Sequence, residues 1–526
     1  MKFKNRKEEI LAQYAAKEQA RIAESVDRQQ ADIRKAFEKP VLHADHPVPT
    51  TRRELVGAGL LSGLAYAVVP SIFTLAAQNA YGVECPKGGS GGTAARVPGY
   101  LHIELSGGYS PAKQFPPGKQ EAGTAFVPLA TAGYATIGYG PTQAPGTVAL
   151  SMDFGLPYHP TSPLVLGMRD VMSTAALAKT VASAICSVSG DDTANNPLNP
   201  VQLVTKIAGN GGSLLQIAKD RDGATGGRTA PLNIAQDPGL AGAVVANEAA
   251  LANLVNPGLL ASRFANNPQA AVRVAELAHK LSASKLAQFQ AKDLNQQVKD
   301  LIECGYIGAK DLLTEFTPDK LQVSTDTQLN TAYNAMTFAQ AFTGDNAQAM
   351  IMSKLLVDGL STAGTIEIAG YDYHGQGLTV QDQKDRAAGQ VIGLALEVAH
   401  RKGQPLFVCV TTDGSVAFGA GGAVNDRLAA ASDNGGRSMI LMFGIGTTAK
   451  PQMNFHQIGK FNDGGAVDTS YLVTSNTAAI ATLCAAYNYA SFAGRLTQFE
   501  SLLAANGATN PFKGNEKQYQ AFAPKV

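Results

Sequence analysis

Thr365-Ile366-Glu367-Ile368-Ala369-Gly370-Tyr371-Asp372-Tyr373-His374-Gly375-Gln376 is a short apolar run that ends in glycines and polar side chains. The plan recurs at Pro405-Leu406-Phe407-Val408-Cys409-Val410-Thr411-Thr412, followed by Asp413-Gly414-Ser415. A third run reverses the order, with Ser432-Asp433-Asn434-Gly435-Gly436 leading into Arg437-Ser438-Met439-Ile440-Leu441-Met442-Phe443-Gly444. Short runs rich in β-formers and bounded by turn residues predict buried strands. Between the first two, residues 384–402 carry Ala387, Val391, Leu394, Leu396 and Val398 at helical spacing. Strand, helix, strand is a crossover, which predicts a parallel sheet. Ligands of open α/β sheets bind at the carboxyl ends of the strands, so the Asp, His, Ser and Asn clusters fall where a site is expected.

The chain of 526 residues is long enough for one large domain or two ordinary ones. Its formal net charge of +1 argues against a nucleic-acid-binding body. Charged residues make up 16 % and glycines number 54, a loop-rich α/β composition rather than a disordered one. The five cysteines, Cys85, Cys186, Cys304, Cys409 and Cys484, are scattered without a CxxC pair, which argues against a zinc–cysteine site. Cys409 and Cys484 lie in apolar runs and read as buried thiols; a disulfide elsewhere is open to an exported body.

Working outward to the N-terminus, residues 1–50 form a unit of mixed charge ending in Pro40, Pro47 and Pro49. Ile10, Leu11, Tyr14 and Ala15 give a narrow apolar stripe, read either as a solvated helix or as one that docks on a partner. Residues 51–83 open with Thr51-Arg52-Arg53 and continue as an uncharged run from Leu55. That run exceeds the roughly 20 residues a bilayer span needs. The paired arginines resemble a twin-arginine export signal and mark the cytoplasmic side. The expectation is a signal anchor in a bacterial inner membrane, embedded through residues 55–78, with the N-terminus cytoplasmic and the body periplasmic or exported. A cleaved signal with cuts near Ala77 or Ala80, or a buried helix, are the alternatives. Residues 84–99 are a glycine-rich connector.

The body, residues 100–526, begins with the strand Tyr100-Leu101-His102-Ile103-Glu104-Leu105 and the turn Ser106-Gly107-Gly108-Tyr109-Ser110-Pro111. Two glycines after a strand allow a tight turn and close backbone approach. Residues 147–152 suggest another strand. Residues 165–350 read mainly as helices (173–188, 200–208, 214–219, 241–254, 268–302 and 329–356), an insertion or cap over the sheet. Residues 475–492 and 496–505 close the chain as helices, with a loop-like 455–468 before them.

These stretches, in order, resemble a secreted bacterial family catalogued as domain of unknown function 1501, a branch of the alkaline phosphatase and sulfatase superfamily. The matching features are Arg52-Arg53, the turn Ser106-Gly107-Gly108-Tyr109-Ser110, the cluster Asp372-Tyr373-His374-Gly375-Gln376, and the turn Ser432-Asp433-Asn434-Gly435. The resemblance implies an α/β fold with a central, mostly parallel sheet flanked by helices, and a pair of metal ions held by Asp and His that activate a nucleophile. It implies Ser110 as nucleophile and Asp372, His374, Asp413 and Asp433 as metal ligands. The chain departs from the family where it counts. Pro111-Ala112-Lys113-Gln114-Phe115 stands where the family has His and Asp, Thr412-Asp413-Gly414-Ser415-Val416 replaces Ser-Glu-Phe-Gly-Arg, and Asn434 replaces a histidine. Four ligands suffice for one divalent metal but not for a pair.

Each residue also has a plainer reading. Asp372 and His374, two apart, share a face at a strand end and read either as ligands or as a hydrogen-bonded turn pair. Ser110, Asp413 and Asp433 are ordinary turn residues by type. His102 and Glu104 read as structural, and His400 ends a helix where a cation suits the dipole. The favoured expectation is a membrane-anchored extracytoplasmic structural or adaptor protein, a pseudoenzyme in an envelope complex with protein partners and no cofactor. The alternative is a metal-dependent hydrolase of phosphate or sulfate esters with one divalent ion.

Overall fold

The central strand, β1 (Gly99–Leu105), is buried along its whole length. Its neighbours are β5 (Ser361–Ile368) on one side and β6 (Leu406–Thr411) on the other, both parallel to it. The computed structural model describes residues 97–188, 200–208, 214–218, 243–255, 273, 318–373, 375–412, 416–418, 426–432, 437–475 and 478–524. The full sheet also takes in β2 (Thr180–Ser187), β3 (Leu214–Ala218), β4 (Ala243–Val244), β9 (Ser438–Ile445) and β10 (Gln457–Ile458), in the order β10-β2-β9-β6-β1-β5-β3-β4. A separate ribbon pairs β7 (Ala417–Phe418) with β8 (Ala430–Ser432). The main sheet is thus six longer strands with a two-residue strand at each edge.

Parallel pairing holds from β6 through β4, but β9 runs antiparallel to both β6 and β2. This orientation has a consequence for the site. The chain leaves β6 at Thr412 and enters β9 from Arg437 at the end where Leu105 and Ile368 also stand.

Strand residues alternate between two cores, as the period of two requires. Leu101, Ile103 and Leu105 join Ile366, Val408, Val410, Leu441 and Phe443 on one face. Helices α2 (Pro163–Val171), α4 (Gly344–Val357) and α5 (Leu378–Arg401) cover that face; the other carries α3 (Val201–Ala208), α6 (Ala478–Ala493) and α7 (Leu496–Ala505), while α1 (Pro111–Gln114) follows β1 directly. Tyr100, Phe407, Cys409, Ile440 and Met442 face Tyr489 and Phe492 there. Helices on both faces explain why the strands read as continuous apolar runs rather than alternating ones.

Helices α2 and α5 touch at backbone distance. A Cβ on Gly389 would lie 1.9 Å from Leu164 O, and one on Gly167 would lie 2.0 Å from Arg386 O. Only glycine permits that approach, and Arg386 pins the pair with two 2.7 Å bonds to Asp170.

The expected helical character of 165–350 is corrected. Residues 173–188 split into a helix, Thr174–Lys179, and the strand β2; residues 214–219 contain β3; β4 precedes the helix Glu248–Val255. Thr180-Val181-Ala182-Ser183-Ala184-Ile185-Cys186-Ser187 is buried on both faces, so it shows no polar side from which a period could be read. Within 329–356, Phe338–Ala341 and all of α4 but Val357 are helical. Of 268–302, all but Arg273 lies outside the described residues. Residues 147–152 form isolated bridges rather than a strand. Cys186, Cys409 and Cys484 are buried free thiols. Among the described residues no helix is long and apolar enough to cross a membrane, and residues 1–96 lie outside them.

Candidate functional site at the strand ends

Three strand ends are tied into one unit just beyond β1. Ser106 N donates to Ile368 O at 3.0 Å and Tyr371 N donates to Ser106 O at 2.9 Å, extending the β1–β5 ladder. Tyr109 N donates to Thr412 Oγ1 at 2.8 Å, which attaches the turn to the end of β6. Gly107 has φ +114°, and a Cβ there would sit 2.5 Å from Asp372 N. The glycine pair therefore serves to let the Asp372 backbone lie against the turn.

Ser110 is buried at 6 % exposure at the head of α1, and its carbonyl accepts from Lys113 N at 3.3 Å. Asp372 is half-buried beside the turn. The structure thus brings Ser110 and Asp372 to the same end of the sheet. His374, Asp413 and Asp433 lie outside the described residues.

What fills this end are groups that the sequence reading left aside. Tyr109, Tyr371 and Tyr373 are buried and pack ring on ring, with centroids 5.8–6.0 Å apart. Tyr373 OH donates to Asp385 Oδ1 at 2.6 Å, and Gln114 Nε2 donates to Asp385 Oδ2 at 2.7 Å. Gln114 is itself fixed, because its Oε1 accepts from Ser162 Oγ at 2.8 Å and Leu164 N at 3.3 Å. Asp385 is fully buried, and burial lifts its carboxyl from 3.8 to about 6 against the opposing pull of Lys113.

Lys113 is 2 % exposed. Its Nζ has no hydrogen-bond partner among the described residues, with Asp382 Oδ1 at 3.8 Å and the Phe418 ring centroid at 5.5 Å. Burial lowers its pKa from 10.5 to about 8; Asp385 opposes that shift and Arg427 adds to it. Arg427 holds Asp382 in a bidentate pair, at 2.6 Å to Oδ2 and 2.8 Å to Oδ1. Tyr139 OH donates to Lys113 O and its ring leans on His159, centroid to centroid 5.3 Å. Burial, then Arg427, lowers His159 to about 4. Two cations, Lys113 and Arg427, thus face two carboxyls, Asp382 and Asp385.

Among the described residues no group of three His, Cys, Asp or Glu converges, and three of the four expected ligands, His374, Asp413 and Asp433, lie outside them. Asp382 and Asp385 spend their oxygens on Arg427, Tyr373 and Gln114 instead. His400 stands in the last turn of α5, as expected, and burial lowers its pKa from 6.5. A signal for Asp385 was present in the sequence. Leu378, Gln381, Asp385, Ala388 and Ile392 form one buried stripe along α5, and a carboxyl on an apolar stripe is conspicuous. Arg427 had no such signal. Compared with family models, curated proteins and solved structures, the chain finds no match.

Proposed function

We propose that this chain is a membrane-anchored, extracytoplasmic structural or adaptor component of an envelope assembly. It uses an alkaline-phosphatase-like frame whose strand-end site has been given over to protein side chains. One observation carries this reading. Lys113, on the segment where the resembling family has His and Asp, brings a buried cation to within 3.8 Å of Asp382, while Tyr373, packed on Tyr109, donates to Asp385 on the same helix as Asp382. Positive charge that a metal would supply at such a place comes from Lys113 and Arg427. Fold alone does not assign an activity, so the argument rests on these residues.

The competing reading, a metal-dependent ester hydrolase, draws on the placement of Ser110 at the end of the central strand beside Thr412 and Asp372. Elemental analysis of the full-length protein, with turnover of p-nitrophenyl phosphate and p-nitrophenyl sulfate, separates the two. The structural reading expects no stoichiometric divalent metal, no turnover, and co-purifying envelope proteins after crosslinking in cells. A stoichiometric metal lost in His374→Ala, with turnover lost in Ser110→Ala, overturns it. A reporter fused at Val526 that is active only in the cytoplasm overturns the orientation.

A further inference from the structure

At the β10 edge of the sheet, four strands from β1, a cavity of about 240 Å³ opens between the segment leading into β10, the turn 152–155 and the loop 119–127. Both fixed walls hang on β2, because Ala182 N donates to Phe154 O at 2.9 Å and Ala184 N donates to His456 O at 3.0 Å. Gln457 clamps the root of the loop, accepting from Gly118 N at 2.9 Å and donating to Gly118 O at 3.0 Å. Ion pairs of Lys119 with Asp463 and of Glu121 with Lys460 then hold the loop in place. The cavity is therefore built before any ligand arrives. It is smaller than the roughly 300–1,000 Å³ of drug-sized sites, so it suits a compact ligand. Phe126, Met152 and Phe455 make its apolar walls. Of the five exposed large apolar side chains among the described residues, Met152 lines this cavity and Val127 adjoins it, which leaves an open apolar rim.

The side-chain polar groups still open on this lining are mostly acceptors. Ala182 O can only accept, so its 2.8 Å bond to His456 Nδ1 fixes the ring proton there and leaves a lone pair on Nε2. Burial keeps the ring towards its neutral form, against the pull of the Ala182 bond. Gly155, at φ +83°, makes room for the ring, since a Cβ there would lie 2.0 Å from His456 Cε1. Asn454 uses its Nδ2 on Gln520 O at 2.8 Å and keeps Oδ1 as an acceptor. Glu121 gives Oε1 to Lys460 and keeps Oε2. The opposing donor is Gln120 Nε2, whose amide oxygen accepts from Val127 N at 3.2 Å. Three acceptors, one of them charged, beside aromatic and thioether walls call for an ammonium carried on an apolar body. We propose that this cavity binds a compact primary amine, with its ammonium among His456, Asn454 and Glu121 and its alkyl or aryl body against Phe126, Met152 and Phe455. No residue of the strand-end cluster lines the cavity, so its failure and that of the structural reading are independent.

The test is isothermal titration calorimetry of the full-length protein with phenylethylammonium near neutral pH, in one detergent throughout. The expected result is saturable binding about tenfold tighter than that of phenylethanol, which has the same body without the charge. Phenylacetate, with the opposite charge, should not bind. Glu121→Gln, at an exposed position, should weaken binding about tenfold. His456→Phe keeps a ring but no lone pair, and should weaken it about as much. Absence of saturable heat from the unaltered protein overturns the proposal. Binding that is unchanged in both variants is partition into detergent or occupation of another place, and also overturns it. Phenylethanol binding as tightly as the amine overturns the ammonium assignment. Tighter binding of Nα-acetyl-lysine amide than of phenylethylammonium overturns the free amine in favour of a lysine side chain from a protein partner.

Discussion

Replacing Asp385 with Asn should make the protein more stable at neutral pH than the unaltered chain, and by an amount that depends on pH. The fold raises the Asp385 carboxyl from 3.8 to about 6, with burial as the main cause and Lys113 opposing it. A raised carboxyl pKa means that the folded state prefers the protonated form. Its contribution is therefore full below pH 3.8 and is lost as pH climbs through about 6. A shift of about two units at about 1.4 kcal/mol each gives about 3 kcal/mol withdrawn by pH 7. Asn carries no charge and escapes that loss. It also fits the partners. Its oxygen can accept from Gln114 Nε2, whose amide cannot turn because Ser162 and Leu164 hold its Oε1. Its Nδ2 can donate to the Tyr373 hydroxyl, whose proton can swing to Gln381 O at 3.4 Å. Urea titrations of both proteins at intervals from pH 4 to 7 provide the assay. The stability difference in favour of Asn should widen by about 2.4 kcal/mol across that range. A difference that stays flat refutes the assignment of Asp385 as the buried, strained acid.

Gly389→Ala should destabilise: helix propensity favours Ala by about 1 kcal/mol, but a Cβ 1.9 Å from Leu164 O must push α2 from α5 at about 1–3 kcal/mol. A stabilised variant in urea would show that the two helices do not meet there. His102 is held neutral by burial, its pKa lowered from 6.5 to about 3, and its Nε2 meets Thr411 Oγ1 at 3.0 Å. With a depressed folded value, its contribution is full above pH 6.5 and drains away as pH falls towards 3, so His102→Asn should give a shallower acid limb of stability; an unchanged limb counts against it. Arg427→Met should cost about 2 kcal/mol by leaving Asp382 to Lys113 alone, and Arg427→Lys should restore less than half, since an ammonium cannot make the bidentate pair. Equal stability of the Lys variant and the unaltered protein would refute the bidentate argument.

The three runs that set the fold in sequence are strands where the pattern placed them, with shifts of a few residues. β5, β6 and β9 are buried along nearly their whole length, and a glycine follows within three residues of each end. α5 was legible because its solvent side is charged and its buried side is apolar apart from Gln381, Asp385 and Glu397. β2 was misread because Ala, Ser, Val and Cys in succession suit a helix as well as a strand, and its assignment comes from lying between β9 and β10. The antiparallel entry of β9 was equally hidden, since strand direction depends on the partner rather than on the strand's own residues.

The site divides along the same line. Ser110 and Asp372 could be placed because each follows a strand, and strands of a parallel sheet end together. Lys113, Asp382, Asp385 and Arg427 could not be assembled that way, because their meeting depends on α5 resting against α2 at glycine distance and on Arg427 reaching back across the sheet end. The linear chain by itself settled an α/β sheet with its polar clusters at one rim, because burial of apolar runs and breaks at glycine are local properties. Which charges face one another inside that rim, and how far burial displaces their protonation, was decided only in three dimensions. Both depend on distances of a few ångströms between segments hundreds of residues apart.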